Sequence, residues 1–146
     1  MAESLPSLTI ARQIKAPPAK VYAAITTPEL MLQWWGPDAG PTLSAEADVR
    51  PGGRFSIVFR LLNGDEHNPT GVYREVVPDR KLVFTWEWPE MPERASLVTF
   101  LLEPLDGGTE LTLTHEHLPD EEARVSHERG WSGLLDKLTA FLGGAR

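Results

Sequence analysis

The stretch that most limits what this chain can become lies near its end: WSGLLDKLTAFL, residues 131–142. At about 100° per residue, Trp131, Leu134, Leu135, Leu138, Phe141 and Leu142 fall within roughly a third of a helix circumference. His127, one turn earlier, joins that stripe, while Arg129, Gly133, Asp136 and Ala140 take the far side. Gly143-Gly144 stops the helix. Upstream, Pro119-Asp120 caps the helical region, and Glu121 and Glu122 suit its dipole. Burying one large apolar side chain is worth roughly 1.5–3 kcal/mol, so this row of anchors demands a broad apolar partner. What precedes it is mostly strand, so that partner is expected to be a sheet.

Leu8, Ile10, Arg12 and Ile14 alternate with Thr9, Ala11 and Gln13, which predicts a first strand. Pro17-Pro18 ends it and opens a short helix over AKVYAAIT; Thr27-Pro28 restarts a second, PELMLQWW, which Gly36-Pro37 terminates before a loop at residues 38–41. From there to His117 the period is close to two. Ala45, Ala47 and Val49 share a face, as do Phe55, Ile57, Phe59 and Leu61; then Tyr73, Glu75 and Val77; then Leu82, Phe84, Trp86 and Trp88. Pro89 and Pro92 bracket a loop before Val98, Phe100 and Leu102, and Leu111, Leu113, His115 and His117 close the series. Turn signals separate these runs at Pro51-Gly52-Gly53, Asn63-Gly64, Pro78-Asp79 and Asp106-Gly107-Gly108. Short connections predict an antiparallel meander. One face is aromatic and the other rich in Arg, Thr and Glu, so one side alone is covered. The expectation is an α+β fold: a curved antiparallel sheet of about six to seven strands wrapped around a long C-terminal helix, with two short helices after the first strand. No repeat or internal boundary shows, so residues 1–146 are read as a single domain.

Composition removes several classes of function. No apolar run approaches the roughly 18 residues of a membrane span, and the first residues carry Glu3 where a signal peptide needs bases. With no cysteine there is neither a disulfide framework nor thiol chemistry, and a cytoplasmic location is the default. A net charge of −7 with scattered bases argues against nucleic-acid binding. Five tryptophans are the oddity, four of them in two close pairs, Trp34-Trp35 and Trp86/Trp88.

The order of elements resembles the helix-grip fold of the START-like (SRPBCC) superfamily. Five phrases narrow this: PELMLQWWGP, RPGGRF, GVYREVVPDRKLVFTWEW, LEPLDGGTELTLTHEHL and HERGWSGLLDKLTAFL. Together they resemble the bacterial family named after the activator of the heat-shock-protein ATPase. The resemblance covers nearly the whole chain and implies a pocket between sheet and terminal helix. It leaves function open, since members range from ligand carriers and resistance proteins to co-chaperone domains.

Apolar walls with a few polar groups are what small-molecule pockets look like, and this pattern supplies both. Phe59, Tyr73, Trp86 and Trp88 are expected to face Trp131; Phe84 and Phe100 read as core. Indole N–H groups need partners, which marks Trp86 and Trp88 out. Adjacent residues on a helix do not share a face, so at most one of Trp34 and Trp35 is expected fully inward, leaving the other for a pocket mouth or a homodimer contact, with Leu62 and Leu101 exposed nearby. His115 and His117 on one side of a strand suit two metal ligands, with His127 or Glu75 as a third, but no motif such as HExxH accompanies them; pocket lining or structural hydrogen bonding is the plainer reading, and neither metal nor cofactor is expected. Glu75, on the Tyr73 side, is expected inward and paired with Arg12, a histidine or a tyrosine. No nucleophile elbow or phosphate loop is present. The expected ligand-binding set is therefore Trp34, Trp35, Phe59, Tyr73, Glu75, Trp86, Trp88, His115, His117, His127 and Trp131, with no catalytic residue assigned. The leading expectation is binding of a hydrophobic, aromatic or lipid-like small molecule. An enzyme using Glu75 or His115 for acid/base chemistry is the alternative. A chaperone-interacting module ranks lowest, the chain being short for the further domain that eukaryotic co-chaperones carry.

Overall fold

Alternating apolar residues along successive strands can all be buried on one side only if the sheet curls, and it does. In the computed structural model, which describes residues 5–36 and 40–145 (side chains of 92 and 93 excepted), the order is β1 (Leu8–Ile14), α1 (Pro18–Thr26), α2 (Pro28–Trp34), β2 (Thr42–Ala47), β3 (Arg54–Arg60), β4 (Glu66–His67), β5 (Thr70–Val77), β6 (Lys81–Trp88), β7 (Met91–Leu105), β8 (Gly108–Glu116) and α3 (Glu121–Phe141). The sheet runs β1-β8-β7-β6-β5-β3-β2, every neighbour antiparallel, with β4 paired to β3 off this path. It forms a half-barrel that grips α3, the helix-grip arrangement expected from the pattern. Part of the expected break at Gly36-Pro37 and of the loop after it falls outside the described residues.

Period two does its work on the concave side. Phe55, Ile57 and Phe59 of β3, Leu82, Phe84 and Trp86 of β6, and Leu111, Leu113 and His115 of β8 are buried, and their neighbours face outward. Trp131, Leu134, Leu135 and Leu138 of α3 close the same core. Asp120 caps that helix, its side chain accepting from the Ala123 N–H at 2.8 Å. Arg12 of β1 reaches across to Asp136 at 3.2 Å and Ser132 at 3.0 Å, tying the edge strand to the helix. Gly71 permits a close approach within the sheet: a Cβ there would run into the Thr85 carbonyl oxygen and the Phe55 ring.

Four local features depart from the periodic reading. Phe141 is exposed rather than an anchor, because it stands in the last helical turn, where Gly143 and Gly144 turn the chain so that the Gly144 carbonyl accepts from Lys15 N–H. Trp34 and Trp35 are both buried: α2 ends at Trp34, and Trp35 takes φ −63° and ψ 151°, so helical spacing no longer separates them. The segment between Pro89 and Pro92 is a tight hairpin turn into β7, with Trp88 paired to Met91. Finally, β5 carries a bulge between Tyr73 and Glu75, which reverses its alternation.

Candidate functional site

The curl leaves one end of the interior unfilled. A half-open cavity of about 340 Å³ lies between α3 and the strand ends around the β6–β7 turn. Trp35 arrives from the end of α2, Phe59 from β3, His67 from β4, and Trp86 and Trp88 from β6; His127, Trp131 and Leu134 come from α3. Ser126 and Gly130, four apart on α3, border the same space with small side chains. Glycine inside a helix costs roughly 0.5–1 kcal/mol relative to alanine, and here its lack of a side chain keeps the space open. The extra β7 residues opposite the β6–β7 register shift carry Arg94 to the cavity, with Glu90 and Met91 of the turn beside it.

The walls are aromatic and in mutual contact. Trp131 lies 5.0 Å from Trp86, 6.1 Å from Trp35 and 6.1 Å from Phe100, ring centre to ring centre. Trp88 stands edge-on to Trp86 at 5.6 Å and 6.1 Å from the His127 ring. Such contacts fix ring orientations beyond what area burial alone does.

Six of the expected site residues, Trp35, Phe59, Trp86, Trp88, His127 and Trp131, meet at this cavity; five do not. Trp34 is core, its indole N–H donating to the Ala24 carbonyl at 3.0 Å. Tyr73 is buried between Phe55 and Phe84, away from the cavity, and burial pushes its hydroxyl well above the ordinary tyrosine range, with Tyr22 and Asp48 adding to the effect. The bulge turns Glu75 outward, where it pairs with Lys81 at 3.2 Å instead of an interior partner. His117 lies past the end of β8 at φ 62°, so it is exposed and does not share a side with His115. Among the described residues no three His, Asp or Glu side chains gather as a metal cluster.

His115 sits beneath the cavity wall with both ring nitrogens engaged. Its Nδ1 accepts from the Trp131 indole N–H at 2.9 Å, which forces the ring proton onto Nε2; that N–H donates to Ser96 Oγ at 2.6 Å, and Ser96 in turn donates to the Trp86 carbonyl at 3.4 Å. Burial, with His127 nearby, pulls its pKa down to about 3, so the ring is neutral. It acts as a positioning group for Trp131. Neither sequence candidate for proton transfer, Glu75 or His115, therefore lines the cavity.

His127 has the opposite arrangement. A carbonyl can only accept, so the 2.7 Å bond to Ala123 O puts the proton on Nδ1 and leaves Nε2 a bare acceptor. Burial lowers its pKa; the Ala123 hydrogen bond opposes this and Arg94 reinforces it. Nε2 has no partner, and among the described residues the other buried side-chain polar atoms in that condition are the indole nitrogens of Trp35 and Trp86. All three residues border this one cavity.

The lining also includes residues that periodicity did not single out for the site: Leu61, His67, Glu90, Met91, Arg94, Pro119, Ser126, Gly130 and Leu134. Leu134 lay on the helix stripe, and the Ser126/Gly130 spacing was a legible sign of a gap on a helix face. Nothing local distinguished Arg94, whose place depends on the irregular β6–β7 register.

A family model described as activator of Hsp90 ATPase homolog 1-like protein matches residues 15–143. Solved structures share the fold. A protein from Chromobacterium violaceum is 27% identical, with 93% of this chain and 96% of that one covered and a TM-score of 0.84. The AHSA1 protein from Silicibacter pomeroyi is 29% identical over 92% and 96% of the two chains, TM-score 0.81. A putative uncharacterised protein from Rhizobium leguminosarum is 29% identical over 94% and 93%, TM-score 0.79. No curated protein matches the chain.

Proposed function

Because the chain belongs to the activator of Hsp90 ATPase homologue 1-like family, within the START-like superfamily, we propose that it works as a binding protein for a hydrophobic, aromatic or lipid-like small molecule held between the curved sheet and α3. One observation carries this reading: among the described residues, the buried side-chain polar atoms left without partners, Trp35 Nε1, Trp86 Nε1 and His127 Nε2, all belong to residues that line a single, largely apolar cavity. A buried polar group without a partner costs about 1–3 kcal/mol, and folded proteins keep few of them. Their concentration in one wall sets this region apart from the well-satisfied core, and a ligand that covers the surrounding rings gains by their burial. At about 340 Å³ the space lies within the range that small-molecule sites occupy. A cytoplasmic setting belongs to the same reading.

The test is direct, because four of the five tryptophans border the cavity. Intrinsic fluorescence and calorimetry against a panel of small neutral aromatics and medium-chain fatty acids should give saturable, one-to-one binding for at least one member. Absence of saturation across the panel overturns the proposal. The family's name brings a chaperone-activator role into view. Nucleotide-dependent association with an Hsp90-type chaperone that persists when the cavity is filled by Gly130→Leu would move the function from the cavity to the surface.

A further inference from the structure

The mouth of the cavity narrows the occupant further, on the premise that the cavity is a ligand site. We propose that it selects apolar molecules ending in a carboxylate, the apolar body lying against the tryptophans and the carboxylate on the Arg94 guanidinium.

Depth and rim differ in chemistry. Trp35, Phe59, Trp86, Trp131 and Leu134 are buried and offer a ligand rings and methyl groups. Histidines aside, the ionisable side chains bordering the cavity are Glu90 and Arg94. Glu90 stands on the β6–β7 turn, open to solvent. Arg94 is brought to the cavity by the register of the sheet. Trp86 pairs with Ser96 and Trp88 with Met91, so Glu87 alone of β6 stands opposite residues 92–95 of β7. Bulges of this kind re-aim side chains.

Arg94 is both reachable and under-used. Its side chain is 40% exposed, so a ligand in the mouth can touch it, unlike the sealed nitrogens of the wall. Among the described residues the guanidinium has one polar partner, Asp120, with Nη2 to Oδ2 at 3.6 Å, too long for a hydrogen bond. Asp120 is itself engaged elsewhere, since its Oδ1 caps α3 through the Ala123 N–H. The neighbours fix where the charge stands. Pro119 and Ser126, on either side of the first turn of α3, line the cavity, and the guanidinium's field helps to lower the pKa of His127 one turn further on. A cation with its donors unfilled therefore sits on the α3 side of an apolar opening. The guanidinium fork matches the two oxygens of a carboxylate in parallel hydrogen bonds. An amide, with one oxygen and no charge, forfeits the second bond and the Coulomb attraction.

The experiment compares naphthoate with naphthamide, and octanoate with octanol, by calorimetry near neutral pH and low salt. In at least one pair the native protein should bind the carboxylate about five- to tenfold more tightly, and the pair that shows this identifies the body as aromatic or aliphatic. Arg94→Gln should bring that pair within about twofold, chiefly by weakening the carboxylate, while Arg94→Lys, which keeps the charge without the fork, should retain part of the preference. Asp120→Asn supplies a readout that a merely structural Arg94 would not move. It keeps a capping oxygen for α3 and removes the competing charge, so the carboxylate should bind more tightly and its neutral partner as before. Equal affinities within both pairs, a preference that survives Arg94→Gln, or carboxylate binding unchanged by Asp120→Asn would each overturn the inference while leaving the cavity a binding site. Failure of all four compounds and of the wider aromatic and fatty-acid panel to bind would remove the binding-protein reading itself.

Discussion

At the scale of single residues, two histidines twelve positions apart, His115 and His127, take opposite roles in one neighbourhood. His115 is consumed by structure, since its acceptor holds Trp131 and its donor holds Ser96. His115→Phe leaves the Trp131 indole N–H without its acceptor and Ser96 without the donor it takes from the ring, and should destabilise the fold by roughly 1–3 kcal/mol in urea unfolding. Its titration has a definite sign. The folded pKa of about 3 lies below the ordinary 6.5, so the unfolded chain binds the proton first, and stability falls as pH drops from 6.5 towards about 3. Above 6.5 the ring is neutral in both states and contributes no slope. His127, also lowered, adds to the loss in the same direction. Within that window His115→Phe should flatten the pH dependence of stability by up to about 1.4 kcal/mol per pH unit, measured as the difference between variant and native unfolding curves. Glu75 is the contrary case. Exposed and paired with Lys81, it should tolerate Glu75→Gln with a change under about 0.5 kcal/mol and no effect on ligand binding.

Elements were the most legible level. The stripe on α3, the proline-opened short helices and the strand alternation all follow from side-chain periodicity, and each was built as read apart from its irregularities. Those irregularities decided which residues reach the site. One extra residue in β5 turned Glu75 out, the end of β8 turned His117 out, and the end of α2 brought both Trp34 and Trp35 in. A period-two argument cannot see a bulge, because an inserted residue changes no residue type and only shifts which side each one faces. The small residues of α3 yield a prediction at this level. Gly130→Leu replaces a poor helix former with a good one, worth up to about 1 kcal/mol, and places a side chain at the cavity wall. The variant should melt no lower than the native protein and lose ligand binding, as read by thermal unfolding and calorimetry.

For the molecule as a whole, what matters is that the half-barrel is filled by interlocking rings at one end and open at the other. Around Phe55, Tyr73 and Phe84 the rings interlock at 5.1–6.0 Å, whereas towards the β6–β7 turn the same curled sheet stands clear of Ser126 and Gly130. A ligand that binds only the folded state at a hundred times its Kd adds about 2.7 kcal/mol, which for a chain of this size raises Tm by about 5–10 °C. That shift should appear with a saturating ligand from the aromatic and fatty-acid panel and vanish in Gly130→Leu. By itself the sequence determined the order of the main elements, the buried face of each strand apart from the second half of β5, and the stripe by which α3 packs, because those depend only on which residues recur at intervals of two or near four. The cavity, its three unpartnered polar atoms and the separate fates of His115 and His127 were decided by tertiary structure. They arise from the curl of the sheet and from strand register, and so from distances between residues that lie far apart in the chain.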